Sequence, residues 1–195
     1  MVKFNPQKIT GNWKEGFALD LHTISSTLIG YDEFGNPQFD TIRTEVGELL
    51  FKLKNRSDTS VVPEIVDVVK TFLKTWPLQV DMIVPVPPSK PRTVQPVVLL
   101  AQALVAQVGI PLVEAVKKTR DMPQLKNIYD LEERQKVLKG AYAVDREAVK
   151  GRQALLFDDL FRSGATMNEI ATALRQQGQA AEVYALTITQ TRSHR

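Results

Sequence analysis

The sequence has 195 residues, no cysteine, two histidines, and 25 basic against 22 acidic side chains, a formal net charge of +3. Without cysteine there is no disulfide, thiolate zinc site, iron–sulfur cluster or cysteine nucleophile, and two histidines cannot build a three-imidazole metal centre. Chemistry therefore falls to carboxylates, hydroxyls, backbone amides, Lys/Arg and a hard cation held by oxygen. The length suits a single domain, residues 1–195. No run approaches the roughly 18 apolar residues of a membrane span, and Met1–Thr10 lacks the apolar segment of a secretory signal. A cytoplasmic protein with no membrane attachment is the expectation. The excess charge is local: seven basic and four acidic residues lie between Lys117 and Lys139. Such a segment suits a phosphorylated small ligand at least as well as a nucleic-acid face.

Residues 16–30 read as strand-rich, and Gly35-Asn36-Pro37 as a turn. Asp40 is placed to cap a helix near 41–55, whose Ile42, Val46, Leu49, Leu50 and Leu53 recur at helical spacing. A second helix is expected from Pro63 to about Lys74, on the stripe Ile65, Val68, Val69, Phe72 and Leu73. Val80–Val86 is β-branched and halts at Pro87-Pro88, as a buried strand would. Pro96–Val108 is helical and ends at Gly109, and Ile110–Val116 reads as a further strand. Residues 117–130 form a long polar loop, and Asp130 caps a short helix Leu131–Leu138 that ends at Gly140. In the last third, strand Gln153–Phe157, loop Asp158–Gly164, helix Ala165–Gln177 and strand Ala181–Thr189 alternate. Alternation of this kind predicts an α/β fold with a central parallel sheet flanked by helices, carrying an N-terminal strand/helix elaboration.

The run ALLFDDLFRSGATMNEI, 154–170, carries the chemistry. An apolar strand delivers Asp158 and Asp159 to the carboxyl edge of the sheet, where open α/β folds bind ligands. A small hydroxyl-rich turn, Arg162-Ser163-Gly164-Ala165-Thr166, then leads into a helix. Backbone amides at a helix N-terminus suit a phosphate monoester, and Ser163 and Thr166 add hydroxyl donors. One sugar with vicinal hydroxyls and a phosphate could bridge the two features. Either feature alone is commonplace; their ordered succession is not.

This run resembles the 5-phosphoribosyl-1-pyrophosphate (PRPP) signature of type I phosphoribosyltransferases. The resemblance implies that Asp158 and Asp159 hold the ribose hydroxyls and that Arg162, Ser163, Gly164, Ala165 and Thr166 hold the 5′-phosphate. Phe161 is bulkier than the family's usual aliphatic, and Arg162 stands where Thr, Ser or Ala is commoner; Arg162 either reinforces phosphate binding or points away. VPVPPSKPR, 84–92, occupies the place of the family's pyrophosphate loop, which assigns Pro87, Pro88, Ser89, Lys90 and Arg92 to pyrophosphate. IVPVP with the helix after it, and TRDMPQLKNIYDLEERQKVLKGAY (119–142), resemble the ComF-like branch. In the wider family the second segment is a mobile flap, matched here by Arg120, Gln124 and Arg134, with Lys118 at its base. Two departures stand out: no cysteine-rich zinc ribbon, and Thr93-Val94-Gln95-Pro96 in place of an Arg-Gly-Phe-Asn-Gln run. The resemblance covers about residues 80–190, the expected PRPP-binding core. Residues 1–60 have no family parallel, and Trp13, Phe17 and Tyr31 there suit either a hood over the acceptor or core and dimer packing.

By this resemblance the expected reaction displaces pyrophosphate from ribose C1 with a nitrogen nucleophile on an unknown acceptor. Asp158, Asp159 and Arg120 would be the catalytic residues. Mg²⁺ would be the cofactor, held through PRPP and water with Asp158 and Asp159 as its only candidate protein contacts. The other reading is a non-catalytic PRPP-sensing regulator or a competence-related, DNA-handling accessory protein. PRPP and a small acceptor are the expected partners; a homodimer stays open, nucleic acid is not favoured, and His22 and His194 read as structural or solvated.

Overall fold

A computed structural model describes the chain except residues 90–92, 122–127, 129 and 193–195 and the side chains of Leu131 and Gln135. Its centre is a five-stranded sheet in the order β1-β2-β9-β8-β5, from Gln7–Lys8 (β1), Gly16–Leu21 (β2), Met82–Pro85 (β5), Gln153–Phe161 (β8) and Glu182–Gln190 (β9). Strands β2, β9, β8 and β5 run parallel, and β1 closes the edge antiparallel. A separate antiparallel pair joins Thr23–Tyr31 (β3) to Pro37–Arg43 (β4), and another joins Val116–Lys118 (β6) to Tyr142–Val144 (β7).

Alternation along the strands splits the apolar residues between two cores. On one face Leu19, Ile83, Leu155, Phe157, Leu186 and Ile188 pack beneath helices Glu45–Arg56 (α1), Val62–Thr75 (α2) and Pro96–Val108 (α3). On the other face Ala18, Met82, Val84, Leu156 and Ala185 meet residues of Leu131–Leu138 (α4), Arg146–Val149 (α5) and Ala165–Gln176 (α6). Each fully buried Leu or Ile contributes ~1.5–3 kcal/mol of transfer free energy. Because the sheet is covered on both sides, its middle strands read as continuous apolar runs.

The expected fold class is present, and helices α2, α3, α4 and α6 lie where the apolar stripes put them. Asp130 does cap α4, accepting from the Glu133 amide at 2.8 Å. Three expectations need correction. Asp40 caps nothing: it pairs with Thr27 in the β3–β4 hairpin, and α1 begins only at Glu45, with Thr44 as its N-cap. The Thr44 hydroxyl accepts from the Gly47 amide and donates to the Leu21 carbonyl, fixing the helix start to the end of β2. Residues 110–115 make a single bridge, Leu112 to Ile83, and a strand begins only at Val116 with β6; Pro111 has no amide with which to extend a ladder. Finally, β8 continues through Asp158 to Phe161, so only 162–164 remain as the loop before α6. Residues 122–127, including Met122-Pro123, lie outside the described residues.

The first sixty residues also reach into the sheet, since β2 lies between β1 and β9. Trp13 and Phe17 are core residues: Trp13 packs edge-on against Phe161, and Phe17 against Phe72 and Trp76. Tyr31, by contrast, is 67% exposed on the hairpin.

Candidate active site

The extension of β8 decides where its two acids point. Asp158 is the register partner of Thr187 on the α6 face, whereas Asp159, one residue on, faces α1. β5 stops pairing at Phe157, leaving the β8 backbone from Asp158 onward uncovered by β5. A pocket of about 120 Å³ opens at this point, lined by Arg134, Asp158, Leu160, Phe161, the turn Arg162–Ser163–Gly164, and Ala165, Thr166 and Met167.

The turn is shaped by Gly164, whose φ of +73° is a left-handed conformation that L side chains avoid. A Cβ there would lie 2.8 Å from the Phe161 ring. Gly164 caps α6 without a side chain, so no side-chain cap covers the helix's first amides, and they open on the pocket with the positive end of the helix dipole. Arg162 and Ser163 are exposed at the rim; Thr166 is half-buried and bonds to the Tyr142 hydroxyl. Tyr142 stays protonated, pushed up to about 12 by burial and by the Asp158 charge.

Asp158 is itself pushed up to about 8, first by burial and then by the charge of Asp159, against the opposing effects of the Asp159 amide and Lys54. Its Oδ1 accepts from that amide at 2.8 Å. Beside it the Thr187 hydroxyl is fully buried and has no hydrogen-bond partner among the described residues. Asp159 is paired instead with Lys54 of α1, Nζ to Oδ2 at 2.8 Å, both side chains mostly buried. His22 follows β2 on the same side of the molecule. Its Nδ1 lies 3.2 Å from the Thr189 hydroxyl. Burial and the nearby Lys54, Arg43 and Arg162 push its pKa down to about 4, while Asp159 opposes them.

The structure therefore brings Asp158, Arg134 and residues 162–166 together around one pocket, with Asp159 on the other face of the strand. Ser89 of the expected pyrophosphate loop accepts from Lys118 Nζ at 2.7 Å, which joins that loop to the base of the flap. Burial lowers the Lys118 pKa, with Asp121 opposing. Pro87 and Pro88 follow Val86, whose amide is bonded to the Phe157 carbonyl at 2.9 Å. Arg120 does not line the pocket; its guanidinium caps α4 through the carbonyls of Val137 and Lys139. Arg134 donates from Nε to the Ile128 carbonyl while lining the pocket. Lys90, Arg92, Gln124 and His194 lie outside the described residues. Sequence reading missed Lys54, the nearness of His22, and Tyr142; only Tyr142 had a signal, the Gly-Ala-aromatic end of the flap segment.

Among the described residues no group of three or more His, Asp or Glu side chains could hold a metal ion. Asp158 is the one carboxylate among the described pocket residues, and Asp159 is engaged by Lys54. A divalent ion fits this donor set only together with ligand oxygens and water, as Mg²⁺ prefers.

Comparison with solved structures matches this architecture. The chain aligns with a glutamine PRPP amidotransferase from B. subtilis, complexed with ADP and GMP, at a TM-score of 0.51 and 18% identity, over 80% of this chain and 34% of that one. It also aligns with an adenine phosphoribosyl transferase from Trypanosoma brucei, in complex with AMP, pyrophosphate and ribose-5-phosphate, at a TM-score of 0.51 and 13% identity, over 96% and 75%. The fold is that of the type I phosphoribosyltransferases. At these identities the likeness is one of fold, and the chain spans about a third of the amidotransferase's length. No family model matches the sequence, and no curated protein matches it. Among the described residues no helix is long and apolar enough to cross a membrane.

Proposed function

We propose that the chain binds PRPP in the pocket at the end of β8 and transfers its phosphoribosyl group to a nitrogen nucleophile, releasing pyrophosphate. The observation that carries this reading is the α6 N-terminus without a side-chain cap, opening beside Asp158 in a single pocket. The 5′-phosphate accepts from the amides of 164–166 and the hydroxyls of Ser163 and Thr166. Asp158, carrying a proton near neutral pH in the free protein, meets the ribose hydroxyls as both donor and acceptor. The nucleophile forms the bond to C1 as the C1–O bond breaks, the electron pair leaves on pyrophosphate, and the nucleophile's proton passes to solvent. Lys118, Arg134 and the loop at Ser89 stabilise the leaving charge. Mg²⁺ would be held mainly by PRPP oxygens and water, with Asp158 and Asp159 as the candidate protein contacts, and would supply charge neutralisation of the pyrophosphate. The ComF-like segments at 83–113 and 119–142 favour that branch of the fold, and the location we infer is cytoplasmic.

Two observations favour a sensor without turnover: Lys54 already occupies Asp159, and the Arg120 guanidinium is engaged on α4. Isothermal calorimetry of PRPP with Asp158→Asn/Asp159→Asn tests the site. We expect binding to be abolished, and unchanged affinity would refute the assignment. Pyrophosphate release from PRPP with a panel of bases and amines then separates transferase from sensor.

A further inference from the structure

The β3–β4 hairpin stands apart from both cores. Its two strands pair only with each other, and β4 touches the body mainly at α1. Apart from Met1, every large apolar side chain exposed among the described residues belongs to it. β3 contributes Ile24, Leu28, Ile29 (69% exposed) and Tyr31, and the turn adds Phe34 at 80%. β4 adds Phe39 and Ile42. At about 200 Å² per large side chain these expose roughly 800 Å² in all, spread over both faces and the tip of the ribbon, an area comparable to one side of a standard interface. A lone two-stranded ribbon is marginal in water, so the arm calls for a cover.

The two edges of the ribbon are not alike. β4 is guarded by Pro37, Asp40 and Arg43, the devices that normally prevent edge pairing. β3, TISSTLIGY, has neither charge nor proline. Among the described residues its outer edge is met only at the base, where Arg192 donates to the Ile24 carbonyl. We propose that this edge is the dimerisation surface of the protein, β3 pairing antiparallel with β3 of a second copy to give a four-stranded sheet. A two-fold axis suits an uncharged strand, which meets itself without like-charge conflict. Antiparallel pairing also carries the tip of each arm, with the exposed Glu33, over the other's base, where the exposed Arg192 lies; Arg43 beside it is already paired with Glu48 at 3.6 Å. That charge match argues for a second copy.

The absence of cysteine makes the test direct. Single cysteines at Ser25, Thr27 or Ile29, with Phe34→Cys at the tip as control, are oxidised mildly and run on a non-reducing gel. Sedimentation velocity follows the unmodified chain and Leu28→Lys/Ile29→Lys. We expect a dimer, a cross-link at one or more β3 positions and none at the tip, and about a hundredfold weaker association in the lysine variant. A monomer at all concentrations, cross-linking confined to the tip, or a dimer indifferent to the lysines would each overturn the proposal. So would a monomeric chain in which the lysines alter PRPP affinity, since the arm would then cover the chain's own pocket. The cross-linking arm stands even if the lysine variant fails to fold.

Discussion

In the folded chain Asp158 keeps its proton up to about pH 8, whereas the unfolded chain gives it up around the ordinary 3.8. Between those values the folded state binds more protons, so the stability Asp158 affects falls as pH rises. His22 has the opposite sign: it stays neutral down to about 4 when folded, against 6.5 unfolded, so acid below 6.5 favours unfolding. The two effects oppose each other from pH 4 to 6.5, and of the two only Asp158 acts above that. Asp158→Asn should therefore gain thermal stability over the parent as pH is raised from 5 to 8. We expect the melting-temperature difference to widen by at least about 2–4 °C, the shift that ~1 kcal/mol gives a domain of this size. A difference independent of pH would contradict the buried, protonated carboxyl. A ligand that draws the proton off Asp158 must displace it, so its affinity should fall as pH drops below about 8.

At the scale of elements, α1 matters to the site because Lys54 reaches Asp159. Gly47 makes that approach feasible: a Cβ there would lie 2.1 Å from the His22 carbonyl oxygen, so α1 packs directly on the backbone after β2. Lys54→Met should cost about 1–3 kcal/mol in urea unfolding by stranding Asp159, and adding Asp159→Asn should restore most of it. At the other end of the site, Gly164→Ala imposes a left-handed alanine costing ~1–2 kcal/mol and a clash with Phe161. PRPP affinity should drop at least about tenfold by calorimetry if the turn holds the 5′-phosphate. These elements were unequally legible. The stripes of α2 and α3 and the run 154–170 show themselves because local periodicity and burial coincide. β4 does not: its Ile42 keeps helical spacing with Val46 and Leu49, and the hairpin that overrides it has no buried face to give a period of two. The Lys54–Asp159 pair was illegible for another reason, since it arises from packing between segments far apart in sequence.

For the whole molecule, two cores share one sheet, and each holds its own tryptophan, Trp13 on the α6 face and Trp76 on the α1–α3 face. A sheet buried on both sides cannot lose one layer and keep the other, so both faces should unfold together. Fluorescence-detected urea curves of Trp13→Phe and Trp76→Phe, each reporting the remaining indole, should have coincident shapes once corrected for stability. Separate midpoints would show two independent layers. The strand order carries a further consequence for synthesis. β9 is central, and it is the last strand of the sheet to be made. Until it emerges from the ribosome, β1 and β2 on one side and β8 and β5 on the other have no strand to join them. Closure of the sheet must therefore follow translation of every other strand in it, and the nascent chain carries its half-covered strands and bare hairpin as a client for chaperones until then.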